Sequence, residues 1–156
     1  MLKEIQGYLA ELSELSNQVK SLLDEWPQSA LDWRPIQGEG ELATNSFSAM
    51  VVHLAGSETY WMKEIIGRQP IHRDREAEFA TRGVQVEELK VKLDGAAKIA
   101  QEVLSPLTEP QLEETRKFRD RTVTVRWAIL HVIEHFATHI GHMQLTRQLW
   151  LVKTQK

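Results

Sequence analysis

The stretch His131-Val132-Ile133-Glu134-His135-Phe136-Ala137-Thr138-His139-Ile140-Gly141-His142 places four histidines within twelve residues. On a helix, residues three or four apart lie on one face, about one turn from each other. Positions 135 and 142 are separated by about 10 Å of helical rise and do not easily share one ion. The local pairs that remain are 131/135, 135/139 and 139/142. This spacing lets two imidazoles bind a single cation and leaves at least two coordination positions open. A third ligand has to come from another segment.

His53 is the best candidate for it. It sits between Met50 and Leu54, on or beside an apolar helical face. An imidazole buried there must find a partner, because an unpaired buried polar group costs on the order of 1–3 kcal/mol. A lone buried histidine is ordinarily a hydrogen-bonded core residue. Several at four-residue spacing on one helix are harder to explain as packing. Three imidazoles with an open position make a reactive metal site, whereas a fourth protein ligand makes a structural one. His72 falls in a polar loop and reads as solvated. Glu58 and Glu134 are either exposed helix-face carboxylates or partners that orient an imidazole.

Outward from this stretch, the chain reads as helices. From about Leu2 to Trp26, apolar residues recur in steps of three and four, and Pro27 follows. Ser29 to Thr44, with Pro35, Gly38 and Gly40, reads as a loop that holds Trp33 against the body. Asn45 and Ser46 are both plausible N-caps for a second helix bearing Phe47, Met50, Val51, Leu54, Trp61, Ile65 and Ile66, which Gly67 closes. Gln69 to Gly83 is a long polar connection with room for a helical turn near Ala77-Glu78-Phe79. A third amphipathic helix is expected from Val86 to Leu104, a short helical piece over Glu109 to Thr115, and a charged turn, briefly extended, over Lys117 to Val123. The last helix is expected from Thr124 to Leu151, with Ala128, Val132, His135, His139, Met143 and Leu149 inward. Four long amphipathic helices without alternating strands indicate an all-α four-helix bundle, a single domain over residues 1–156.

The totals exclude several classes. There is no cysteine, so protein disulfides, zinc ribbons and thiolate catalysis by the chain itself are ruled out. The formal charge of −3, with acids and bases interspersed, lacks the basic footprint that nucleic-acid phosphates require. No apolar run approaches the roughly 20 residues that span a bilayer. Met1-Leu2-Lys3-Glu4-Ile5-Gln6 has no signal-peptide core, and the expected location is cytoplasmic. His131-Val132-Ile133-Glu134-His135 has the form of an inverted zinc-peptidase motif, but only 21 residues follow it. A di-iron carboxylate bundle needs Glu-x-x-His, and no glutamate here has a histidine three residues after it.

Three stretches together resemble the DinB/YfiT-like superfamily: Leu31-Asp32-Trp33-Arg34-Pro35, then His53-Leu54 through Glu58 to Trp61, then His135 through His139 to Gly141. The resemblance spans nearly the whole chain. It implies an up-down-down-up bundle and one divalent metal ion, commonly zinc or nickel, held by one histidine of the second helix and two of the last. Carried onto this chain, those ligands are His53, His135 and His139. Many relatives have glutamine where this chain has His142. Some relatives are transferases or isomerases that use a low-molecular-weight thiol. The expected function is therefore a metal-dependent transferase or hydrolase acting on a small molecule, with a thiol cosubstrate. Glu58, His131 and His142 are its candidates for proton transfer, and Trp61 and Trp33 are candidate pocket walls. A non-catalytic metal- or ligand-binding bundle is the rival. Trp150 and Leu151 close an apolar C-terminal stripe through which a homodimer is expected.

Overall fold

The computed structural model describes residues 1–38 and 43–155, so Gly40 of the expected loop lies outside the described residues. The elements are α1 (Lys3–Glu25), α2 (Phe47–Tyr60), α3 (Arg75–Ala80), α4 (Val86–Leu104), α5 (Glu109–Glu113), β1 (Thr115–Phe118), β2 (Arg121–Thr124) and α6 (Val125–Thr154). A turn of 3-10 helix, Gln28–Ala30, follows α1, and α2 runs on into a π-helical turn, Trp61–Ile66.

Ion pairs fix the helix directions. Lys20 pairs with Asp94 and Lys90 with Asp24, so α1 and α4 are antiparallel. Arg126 pairs with Glu4 and Arg147 with Glu25, so α1 and α6 are parallel. His53 meets His139 while Trp61 meets Trp127, so α2 and α6 are antiparallel. The order is up-down-down-up. These partly exposed pairs contribute little stability; the apolar stripes between the helices supply it. Ile5, Leu12, Leu15, Val19 and Leu23 of α1 face Leu89, Leu93, Ala96, Ala100 and Leu104 of α4, with Leu54 and Phe136 buried among them. Because α2 and α4 run parallel, residues 67–85 must return the length of the bundle, and α3 sits on that return.

Local chemistry explains the ends. Ser46 caps α2, its hydroxyl accepting from the Ala49 N–H, and Thr124 caps α6 in the same way through Trp127. Gly67 does close the second helix, but not as a left-handed cap: its φ is −78°, and Arg68 takes the positive φ of 56°. The π-turn brings the Lys63 carbonyl within 2.9 Å of where a Cβ would stand, so the close approach requires glycine. The charged turn is a two-stranded antiparallel hairpin, Thr115 opposite Thr124 and Phe118 opposite Arg121.

Three expectations for α6 and its end need correction. Leu149 is 43% exposed rather than inward, because it borders an open cavity beside the loop before α2. The buried stripe of α6 is Val132, Phe136, Ile140 and Met143; His135 and His139 occupy the half-buried stripe beside it, facing α2. Trp150 turns onto Trp33 of its own chain, with ring centroids 5.3 Å apart, and leaves Leu151 exposed. Among the described residues, no helix is long and apolar enough to cross a membrane.

Candidate metal centre

The start of α2 is pinned to the preceding loop. The Ser48 N–H donates to the Leu31 carbonyl, and the Ser48 hydroxyl donates to Asp32 Oδ1 at 2.5 Å. This anchoring sets the rotation of α2 and turns His53, only 4% exposed, toward α6. There it meets His135 and His139, one helical turn apart. Ring centroids are 5.0 Å for 53–135, 5.2 Å for 53–139 and 4.6 Å for 135–139. One ring nitrogen from each lies within 4.8 Å of those of the other two. Among the described residues, no fourth histidine or carboxylate joins this group.

The donors suit a cation. Burial, followed by neighbouring His139 and His53, pushes the His135 imidazole down to about 3. Burial and His53 push His139 down to about 4. Both are neutral at physiological pH and keep a nitrogen lone pair. Nε2 of His53 and Nε2 of His135 face each other at 3.1 Å, and Nδ1 of His139 is buried with no hydrogen-bond partner among the described residues. Two imidazole nitrogens at 3.1 Å either share one proton as an N–H···N hydrogen bond or hold a cation between them, and His139 brings a third neutral imidazole to the same place. The residues present therefore fit a divalent ion.

The other face of His53 is organised by residues that the sequence reading passed over. Glu78 of α3, 7% exposed, places Oε2 at 2.9 Å from His53 Nδ1. Arg73 grips the same carboxylate through two bonds of 2.7 and 2.8 Å. Burial alone would raise the Glu78 carboxyl, but the hydrogen bonds from His53 and Arg73 outweigh it and hold it below its ordinary value. The ionised carboxylate accepts the Nδ1 hydrogen and leaves Nε2 bare toward α6. Phe79 stacks on the His53 ring at 4.4 Å. Glu78 sat in the long polar connection, at the helical turn expected near Ala77-Glu78-Phe79, which is α3, but was not singled out as a site residue. The available signal was Gly56, one turn after His53, where any Cβ would overlap Glu78 Oε1.

The remaining candidates are dispersed. His131 stacks flat on Trp127 at 5.0 Å and 5°, and lies edge-on to Trp61 at 4.7 Å. Its ring is 6.1 Å from that of His135, and burial holds its pKa below the ordinary value. Glu134 stands 3.9 Å from His131 Nδ1 on an exposed face. His142 is exposed, its ring 5.5 Å from His139. Glu58 lies about 140° around α2 from His53. It is 2% exposed, Oε2 has no partner among the described residues, and burial pushes its carboxyl up to about 8. The imidazole-orienting part offered to Glu58 or Glu134 is taken by Glu78 at His53. Trp61 is core, and His72 is exposed as expected.

Comparison with known proteins agrees with this architecture. The sequence model of the family described as Mycothiol-S-transferase matches residues 10–150. Solved structures share the fold at low identity. A conserved protein of Enterococcus faecalis superposes with a TM-score of 0.78 at 14% identity, covering 96% of this chain and 98% of its own. YfiT from Bacillus subtilis, described as "a probable metal-dependent hydrolase with an unusual four-helix bundle topology", gives 0.74 at 18% identity, over 95% of this chain and 89% of its own. A DinB-like protein from Bacillus cereus gives 0.70 at 14% identity, over 92% and 90%. No curated protein sequence matches the chain.

Proposed function

The chain belongs to the mycothiol-S-transferase family, and from that membership we propose that it is a metal-dependent S-transferase joining a low-molecular-weight thiol to a small electrophile. His53, His135 and His139 are the metal's protein ligands in this reading, with zinc or nickel the ions that a set of three imidazoles suits. The observation that carries the proposal is the three-nitrogen cluster drawn from two helices, which no fourth protein ligand joins among the described residues. An open position of that kind is what a reactive rather than a structural site keeps. A bound divalent ion there would supply Lewis acidity, lowering the pKa of a thiol or water toward neutrality.

In the overall reaction the thiol sulfur bonds to the electrophilic carbon, the leaving group departs with its bonding pair, and the thiol proton passes to a base. His142, exposed beside His139, is positioned to take that proton. His131, stacked flat on Trp127 with Trp61 edge-on to it, flanks His135 on the far side. Glu58, its carboxyl at about 8, retains its proton at neutral pH and is no base for this step. Arg73 and Glu78 hold the His53 tautomer.

A second reading, hydrolysis, is favoured by the description of YfiT; the same open position would serve water. One assay separates them. Purified, metal-loaded protein should consume an electrophile such as monochlorobimane only when thiol is present. Consumption independent of thiol would favour hydrolysis, and none with any thiol would favour a non-catalytic metal binder. A homodimer through the C-terminal stripe of Trp150 and Leu151, where Leu151 is exposed, completes the proposal, and sedimentation at micromolar concentration tests it.

A further inference from the structure

The histidine cluster has two unlike flanks. On the His131 side, the surface is the hairpin strand β2 with Arg121, Thr122 and the Trp127 ring. On the His142 side, a cavity of about 260 Å³ opens between the loop before α2 and the last third of α6. Met50, one turn before His53 on α2, forms one wall, and His142, one turn after His139 on α6, forms another. Because α2 and α6 are antiparallel, both helices place this cavity on the same side of the cluster.

Its lining specifies an occupant. Pro35, Met50, Leu145 and Leu149 are apolar, and among the described residues no charged side chain lines the cavity. Two of its hydroxyl donors are already spent: the Thr146 hydroxyl donates to the His142 carbonyl at 2.8 Å, and the Thr44 hydroxyl donates to the Ile36 carbonyl. Among the described residues, the side-chain donors left to a ligand are the imidazole of His142 and the amide of Asn45. A polyhydroxylated or charged molecule would lose its water here with too few partners, which costs more than its burial returns. An apolar cavity of about 150 Å³ accepts benzene, so this one accepts a single substituted ring.

Resting on the transferase reading above, we propose that this cavity is the electrophile's binding site. It takes a neutral, one-ring or similarly compact apolar body, with one hydrogen-bond acceptor turned toward His142.

Binding is measured on the full chain by ¹⁹F NMR with two unreactive probes, 4-fluorotoluene and 4-fluoroacetophenone, with metal content measured in parallel. Both probes should bind the unaltered protein, the acetophenone more tightly. Leu149→Asp, at a half-exposed wall position where folding tolerates charge, should weaken both at least tenfold while metal content stays unchanged. His142→Ala should weaken the acetophenone by up to about tenfold and leave the toluene alone. Thr122→Asp, on the other flank, should change neither. The proposal is overturned if neither probe binds, if Leu149→Asp has no effect, or if Thr122→Asp is the change that abolishes binding. Loss of metal in the unaltered protein would instead sink the metal reading, independently of probe binding.

Discussion

Glu78 Oε2 lies 2.9 Å from Nδ1 of His53, joining two helices 25 residues apart in sequence at a buried contact. The bond sets which nitrogen of His53 is bare. Arg73 holds the carboxylate in place from its other side. The bare nitrogen of His53 that faces α6 thus depends on a residue of the return connection.

Glu78→Gln should keep the fold and weaken metal binding by roughly 10–100-fold, the usual cost of removing a carboxylate that orients a ligand histidine. Calorimetric titration with zinc checks this. An unchanged affinity would show that the contact does not orient His53.

Gly56→Ala should act through the same carboxylate, because the added methyl would overlap Glu78 Oε1. Metal affinity should fall in the single variant. In a Glu78→Ala background the Gly56→Ala change should cost nothing further, giving a clear coupling in a double-mutant cycle. Additive losses would place the effect of Gly56 elsewhere.

Glu58 predicts a pH dependence of stability. Its folded carboxyl stands at about 8 against an ordinary 4.5, because burial disfavours the ion. Below pH 4.5 it is protonated folded and unfolded and carries no penalty. Above pH 4.5 the unfolded chain ionises first, so stability falls as pH rises to about 8, where the folded carboxyl ionises too. At 1.36 kcal/mol per unit, the loss is on the order of 3–5 kcal/mol. In chelator, Glu58→Gln should therefore melt above the unaltered protein at pH 8 and match it near pH 4.5. Equal melting at both values would contradict the assignment.

Much of this was legible in the sequence because it is local. The span Val86–Leu104 is the observed α4, since Leu89, Leu93, Ala96, Ala100 and Leu104 repeat at helical spacing within it. The 135/139 pair and His53 were legible for the same reason, spacing and an apolar neighbourhood. The π-turn was not, because a stripe of Trp61, Ile65 and Ile66 reads alike with either hydrogen-bond register. Leu149 misled because periodicity does not tell a side chain that borders an open cavity from one packed against a helix. Glu78 was hidden by Arg73-Asp74-Arg75-Glu76, a run that looks solvated until α3 docks on Gly56. Contacts made only in the assembled bundle leave no periodic trace.

Removing the ion should lower the melting temperature without abolishing helicity, because the apolar stripes build the core and ligand binding adds stability only by mass action. Circular dichroism with and without chelator checks this. Loss of helicity on chelation would make the metal structural.

The most direct test is metal affinity for the six single histidine-to-alanine variants in one buffer. His53→Ala, His135→Ala and His139→Ala should each remove most binding, since two imidazoles hold an ion far less firmly than three. His131→Ala and His142→Ala should cost roughly 10–100-fold at most, and His72→Ala nothing. If His131→Ala or His142→Ala abolishes binding while His53→Ala leaves it intact, the site lies along α6 alone, and the cross-helix centre is wrong.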